Sequence, residues 1–81
     1  MFQPLKLAGP GMLESSENIC MLTITADLFG KYVLEQVEHR GDGKPRSANW
    51  VLPDLDSAIL ETGRRAHIKL LRGYRVMAAS A

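Results

Sequence analysis

Arg40, Lys44 and Arg46 fall within one short glycine-containing segment, RGDGKPR (40–46). Arg64, Arg65, Lys69 and Arg72 recur along a second segment with helical periodicity. Guanidinium and ammonium groups gathered in this way bind anions, either phosphate or the carboxylates of an acidic protein surface. The rest of the chain sharpens the clustering. Residues 1–38 hold Lys6 and Lys31 against Glu14, Glu17, Asp27, Glu35 and Glu38, a net charge of −3. Residues 39–81 hold eight cations against Asp42, Asp54, Asp56 and Glu61, a net of +4, although the whole chain carries only +1. Tyr74 follows the second cationic segment and adds a ring able to stack on a base.

No comparable constellation points to catalysis. Cys20 lies in an apolar run and reads as a small core residue rather than a nucleophile. His39 and His67 are the only histidines, and with Cys20 they contain no close-spaced pair of the kind zinc sites use. Ser15 and Ser16 lack a nucleophile-elbow context. Asp54 and Asp56 suit a helix start better than an acid/base pair. Gly41-Asp42-Gly43-Lys44 has neither the spacing nor the following hydroxyl of a phosphate loop. The expectation is a non-enzyme without cofactor or metal.

The elements that would position the cations follow from pattern and punctuation. The 81 residues make one small domain, and a single cysteine allows no internal disulfide. A homodimer is therefore an expected source of extra burial. Residues 1–12 read as an N-terminal extension or short strand, with Phe2, Leu5 and Leu7 extended and Met12 an alternative start; residues 13–81 read as the domain. ICMLTIT (19–25) is β-branched and apolar, a buried strand. ADLFG (26–30) is a turn, and KYVLEQVEH (31–39) is a second strand with Tyr32 and Leu34 on one face and Val33 and Val37 on the other. RGDGKPR is a hairpin loop, and ANWVL (48–52) a third strand with Trp50 facing away from Asn49 and Val51. Short loops favour an antiparallel meander. YRVMA (74–78) supplies a last strand.

Pro53 ends the third strand, Asp54 is the expected N-cap of a helix, and Gly73 its C′ residue. At 100° per residue, Leu55, Ile59, Ala66 and Leu70 form a stripe flanked by Leu60 and Leu71, the face expected against the sheet. Gly63 lies inside that arc, which implies a close helix–sheet approach and a Gly63→Leu variant that unseats the helix. Arg64, Arg65, Lys69 and Arg72 would then point to solvent. A solvated face is the commoner reason for such a pattern, yet four cations against the single Glu61 exceed what solubility requires.

The order of motifs resembles the WGR domain. Leu13–Glu14, Asp27–Leu28–Phe29–Gly30, Arg40 and Arg72–Gly73–Tyr74 match the opening, the turn, the end of the signature and the closing helix of that family, over roughly residues 13–75. The resemblance implies an antiparallel sheet with one packed helix and, from the family's place beside poly(ADP-ribose) polymerase catalytic domains, a nucleic-acid role. Glu38–His39–Arg40 stands where the family has Trp-Gly-Arg, which removes a stacking ring and adds a charge repulsive to phosphate. The fold is thus implied more firmly than DNA binding.

Together these readings give an α+β domain: a small antiparallel sheet of three to five strands with one helix, about residues 54–72, packed on it. The expected function is contact with nucleic-acid backbone, DNA before RNA, through Arg40, Lys44, Arg46, Arg64, Arg65, Lys69, Arg72 and Tyr74. The alternative is a small phage or plasmid protein that docks on an acidic surface of a host complex as an adaptor or an anti-CRISPR-type inhibitor. No apolar run is long enough to cross a bilayer, and the sequence reads as cytoplasmic with a reduced thiol.

Overall fold

A computed structural model describes residues 4–9, 18–41 and 43–77. Its elements are β1 (Leu5–Ala8), β2 (Asn18–Ala26), β3 (Tyr32–Arg40), β4 (Arg46–Leu52), α1 (Leu55–Leu71) and β5 (Arg75–Val76). The five strands form one antiparallel sheet in the order β4-β3-β2-β1-β5, with the helix on one face: an α+β fold. Met12, Leu13, Glu14, Ser15, Ser16, Asp42 and Ala78 lie outside the described residues.

The meander β2-β3-β4 has the register that residue alternation requires. Ile24 pairs with Leu34 and Leu34 with Trp50, so these three side chains share the helix-facing side. Val33 pairs with Thr25 and Val51, on the other side. The first hairpin turns on Asp27, whose carboxylate accepts from the backbone N–H groups of Phe29 and Lys31, each at 2.8 Å. Gly30, at φ 79°, completes the turn in a conformation that disfavours a side chain.

The short strand expected near the N-terminus is present and integral. Leu7 and Ala8 of β1 are fully buried, and β1 joins β2 to β5. Leu7, Cys20, Leu22, Leu34 and Ala66 make the core, with Leu5, Ile24, Trp50, Leu52 and Tyr74 packed at its margin. Gly9 lets Tyr74 close over this end: a Cβ there would lie 2.8 Å from the tyrosine ring and 2.9 Å from the Asn18 Cβ.

Both helix caps follow the sequence signals. Asp54 accepts from the Ser57 N–H at 2.7 Å. At the other end the Gly73 N–H donates to the Leu70 carbonyl and the Tyr74 N–H to the Lys69 carbonyl, the paired closure of a Schellman motif, with Gly73 at φ 93°.

The roll of the helix differs from the expected one. Ala58, Ala66 and Lys69 are buried against the sheet, with Leu55, Thr62 and Arg65 half-buried beside them. Ile59, Leu60, Leu70 and Leu71 face outward, Leu60 at 76 % exposure and Leu71 at 74 %. The cause is the sheet surface. Alternation puts Gln36 and Glu38 on the same side as Leu34, so that surface presents a carboxylate as well as apolar groups. An unpaired carboxylate under a helix costs more than a leucine left in water, and a cation drawn inward resolves it. Gly63 accordingly lies on the outside. A Cβ at Gly63 would meet nothing within 4 Å, so the close-approach reading and the expected damage from Gly63→Leu do not hold.

Candidate functional site

β4 runs away from the 40–46 hairpin and α1 returns toward it. Two contacts fix that return path. The guanidinium carbon of Arg65 lies 3.5 Å above the centre of the Trp50 ring. Further along, the Lys69 ammonium pairs with the Glu38 carboxylate beneath the helix. Glu38 is opposite Arg46 in the β3–β4 register, and Arg40 lies two residues beyond Glu38 on the same face. The C-terminal turn of α1 and the stem of the hairpin therefore meet at one end of the sheet, on its helix side.

Arg65 and Lys69 were expected on the solvent face with Arg64 and Arg72; they are turned toward the sheet instead. Their alkyl stems suit this position, since they cover apolar surface while the charged heads reach Glu61 and Glu38. The Arg65 Nε is 2.8 Å from a Glu61 carboxylate oxygen but is not aligned to donate a hydrogen bond, so the contact is Coulombic. Arg64 donates to the same oxygen at 3.1 Å. That hydrogen bond, with the two positive charges behind it, holds the Glu61 carboxyl below its usual range.

Lys69 is also 4.9 Å from the centre of the Tyr74 ring. Tyr74 thus closes the buried pair rather than standing free as a stacking platform. Burial pushes the thiol of Cys20 up, and the nearby Lys69 charge offsets this in part. The Gln36 side-chain oxygen, two residues before Glu38 on the same face, is buried without a hydrogen-bond partner among the described residues.

What remains exposed at this end is Arg40, Lys44, Arg46 and Arg72. Among the described residues, ion pairs engage Arg64, Arg65 and Lys69 and none of these four. Glu38, which in sequence counts against phosphate, is neutralised by Lys69. The cluster can hold an extended polyanion by charge and by hydrogen bonds from three guanidiniums.

Sequence reasoning overlooked Glu38 as the anchor of the helix, although its two-residue spacing from Gln36 and Leu34 was the available signal. It also took Leu28 and Phe29 simply as turn residues, whereas they stand 98 % and 86 % exposed on the tip that Asp27 braces. Among the described residues no group of three or more His, Cys, Asp or Glu side chains is arranged to hold a metal, and no helix is long and apolar enough to cross a membrane. Comparison with protein-family models, curated proteins and solved structures finds no match.

Proposed function

We propose that the domain is a non-catalytic binding module whose hairpin end contacts nucleic-acid backbone through Arg40, Lys44, Arg46 and Arg72. The observation that carries this reading is the Lys69–Glu38 pair. It brings the end of α1 over the hairpin stem and cancels the carboxylate that, among the described residues, the helix side of the sheet presents there. The WGR resemblance supports the same direction. Its stacking ring is missing at Glu38, so charge carries the binding and base identity counts for little.

Titration of a fluorescent duplex DNA across a range of salt concentrations tests the proposal. Four phosphate contacts predict a slope of log affinity against log salt of about −3 to −4. Reversing Arg40 and Arg46 to Glu abolishes binding at low salt. Affinity that does not change with salt, or no binding even at low salt, refutes the proposal.

A second reading, an adaptor or inhibitor carried by a phage or plasmid that docks on a host protein, is favoured by one observation: the exposed Leu28–Phe29 tip on a braced turn. Aromatic and aliphatic anchors on rigid loops suit protein partners. Retention of a protein partner after nuclease treatment, lost on Phe29→Ser, supports this reading over the first.

A further inference from the structure

The sheet has two edges, β4 and β5. β5 covers two residues, too few to template another strand, whereas β4 covers seven. Edge strands are ordinarily blunted by a charge or proline within them, a bulge, or a covering segment. Between Ser47 and Leu52 the β4 sequence is SANWVL, without charge or proline; Pro45 and Pro53 stand just outside the strand. Its pairing with β3 runs without interruption from Arg46 to Leu52, so there is no bulge. Ser47, Ala48, Asn49 and Val51 are exposed, Val51 at 61 %. Along this edge the backbone N–H and C=O groups that point away from β3 are open to a further strand.

We infer that β4 pairs antiparallel with β4 of a second copy of the chain, Asn49 opposite Asn49 on a two-fold axis perpendicular to the sheet. Asn49 is the middle residue of Arg46–Leu52, so all seven positions pair. Ser47 then lies opposite the partner's Val51, Ala48 opposite the partner's Trp50, and Arg46 opposite the partner's Leu52. Each pair joins residues of one sheet face, as alternation requires, and both helices stay on the same side of one continuous sheet. The side chains are self-complementary in this register. On the helix side a large ring meets a small side chain at both symmetric positions. A shift of two residues sets Trp50 against Trp50 or Ala48 against Ala48 and loses two pairs. On the other side the Asn49 amide, both donor and acceptor, meets its own copy. The charges agree as well. Arg46 opens β4 and Asp54 stands two residues past its end, so each Arg46 comes within a long side chain's reach of the partner's Asp54. Among the described residues ion pairs engage neither of them. The two Arg46 residues lie at opposite ends of the contact, about 20 Å apart. Ile68, 42 % exposed, is one helical turn from Arg65 on the flank of α1 above β4 and borders the same edge.

Sedimentation equilibrium of the full chain without nucleic acid, across micromolar to millimolar concentration, tests the inference. The wild-type chain, 9.0 kDa, rises to twice that mass as concentration increases. Over the same range, hydrogen exchange slows at alternate amides of residues 47–52, those directed away from β3. Paired charge variants report the register. Ser47 and Val51 are exposed on the same face of β4, four residues apart, so charges placed there do not meet within one copy. Ser47→Glu with Val51→Glu sets two like-charge pairs across the axis and weakens dimerisation by about tenfold or more. Ser47→Glu with Val51→Lys makes those pairs opposite in sign and restores the dimer to at least wild-type strength. Far-ultraviolet circular dichroism shows both variants folded like the wild type. A chain that stays monomeric to millimolar concentration overturns the inference. So does a dimer equally strong in both variants, or one in which the β4 amides exchange as fast as in the monomer.

Discussion

Replacing Lys69 by Met removes the charge beneath the helix and keeps most of the stem that covers the sheet. In the wild type the Lys69 side chain is 8 % exposed and that of Glu38 is 21 % exposed. Breaking a fully buried pair by deleting one partner costs about 3–5 kcal/mol, because the other charge is stranded. Glu38 keeps about a fifth of its exposure, so water takes up part of that loss and the expected cost falls to about 2–4 kcal/mol. For a domain of this size that lowers the melting temperature by roughly 8–30 °C. Changing Glu38 to Met as well removes the stranded charge, and the double variant returns to within about 1 kcal/mol of the wild type or exceeds it. Urea denaturation followed by circular dichroism for the helix and by Trp50 fluorescence, run on both single variants and the double variant, gives the coupling energy. The reasoning is refuted if Lys69→Met stays within about 0.5 kcal/mol of the wild type, the behaviour of a solvent-facing lysine. That result would mean the helix is rolled with its leucines inward.

Three further outcomes follow from local geometry. Gly9→Ala drives a methyl into the Tyr74 ring and the Asn18 side chain and lowers stability by about 1–3 kcal/mol in the same denaturation assay. The Ser57 N–H depresses the pKa of Asp54, and Arg64 that of Glu61; folded values lie below unfolded ones, so their contribution is complete above the ordinary carboxylate range and is lost as pH falls through the depressed values. Thermal melts from pH 7 to pH 2 should therefore show stability declining below about pH 4.5, less steeply in an Asp54→Asn, Glu61→Gln variant. Cys20 is fully buried with its thiol pushed up by that burial, so a disulfide reagent at neutral pH modifies it only as fast as the protein opens, and at once in denaturant.

Much of the fold was legible because its signals are local. Asp54 and Gly73 mark helix ends through bonds made within one turn, and the alternation of Val33 and Leu34 fixes which strand face is which. The roll of α1 was not legible from the helix alone. Its leucines outweigh its alanines in hydrophobicity, so the helix read in isolation puts Leu60 and Leu71 on the flank of a core. The deciding residues are Glu38 and Trp50 on other strands, which become neighbours of Lys69 and Arg65 only once the sheet is in register. The same distance in sequence governs the site. Arg40, Lys44 and Arg46 were readable as cations of one hairpin. Their convergence with Arg72, and the withdrawal of Arg65 and Lys69, depend on long-range pairing that composition and periodicity do not encode.

The most direct test of the binding account is a map of which backbone amides respond when duplex DNA is titrated into isotopically labelled protein at low salt and followed by NMR. The account predicts shifts concentrated at residues 40–46 and 69–74, reversed by added salt, with Leu28–Phe29 and the middle of α1 unmoved. Shifts centred on the 27–31 turn or on Ile59–Leu60, or no shifts at any ratio, would contradict it.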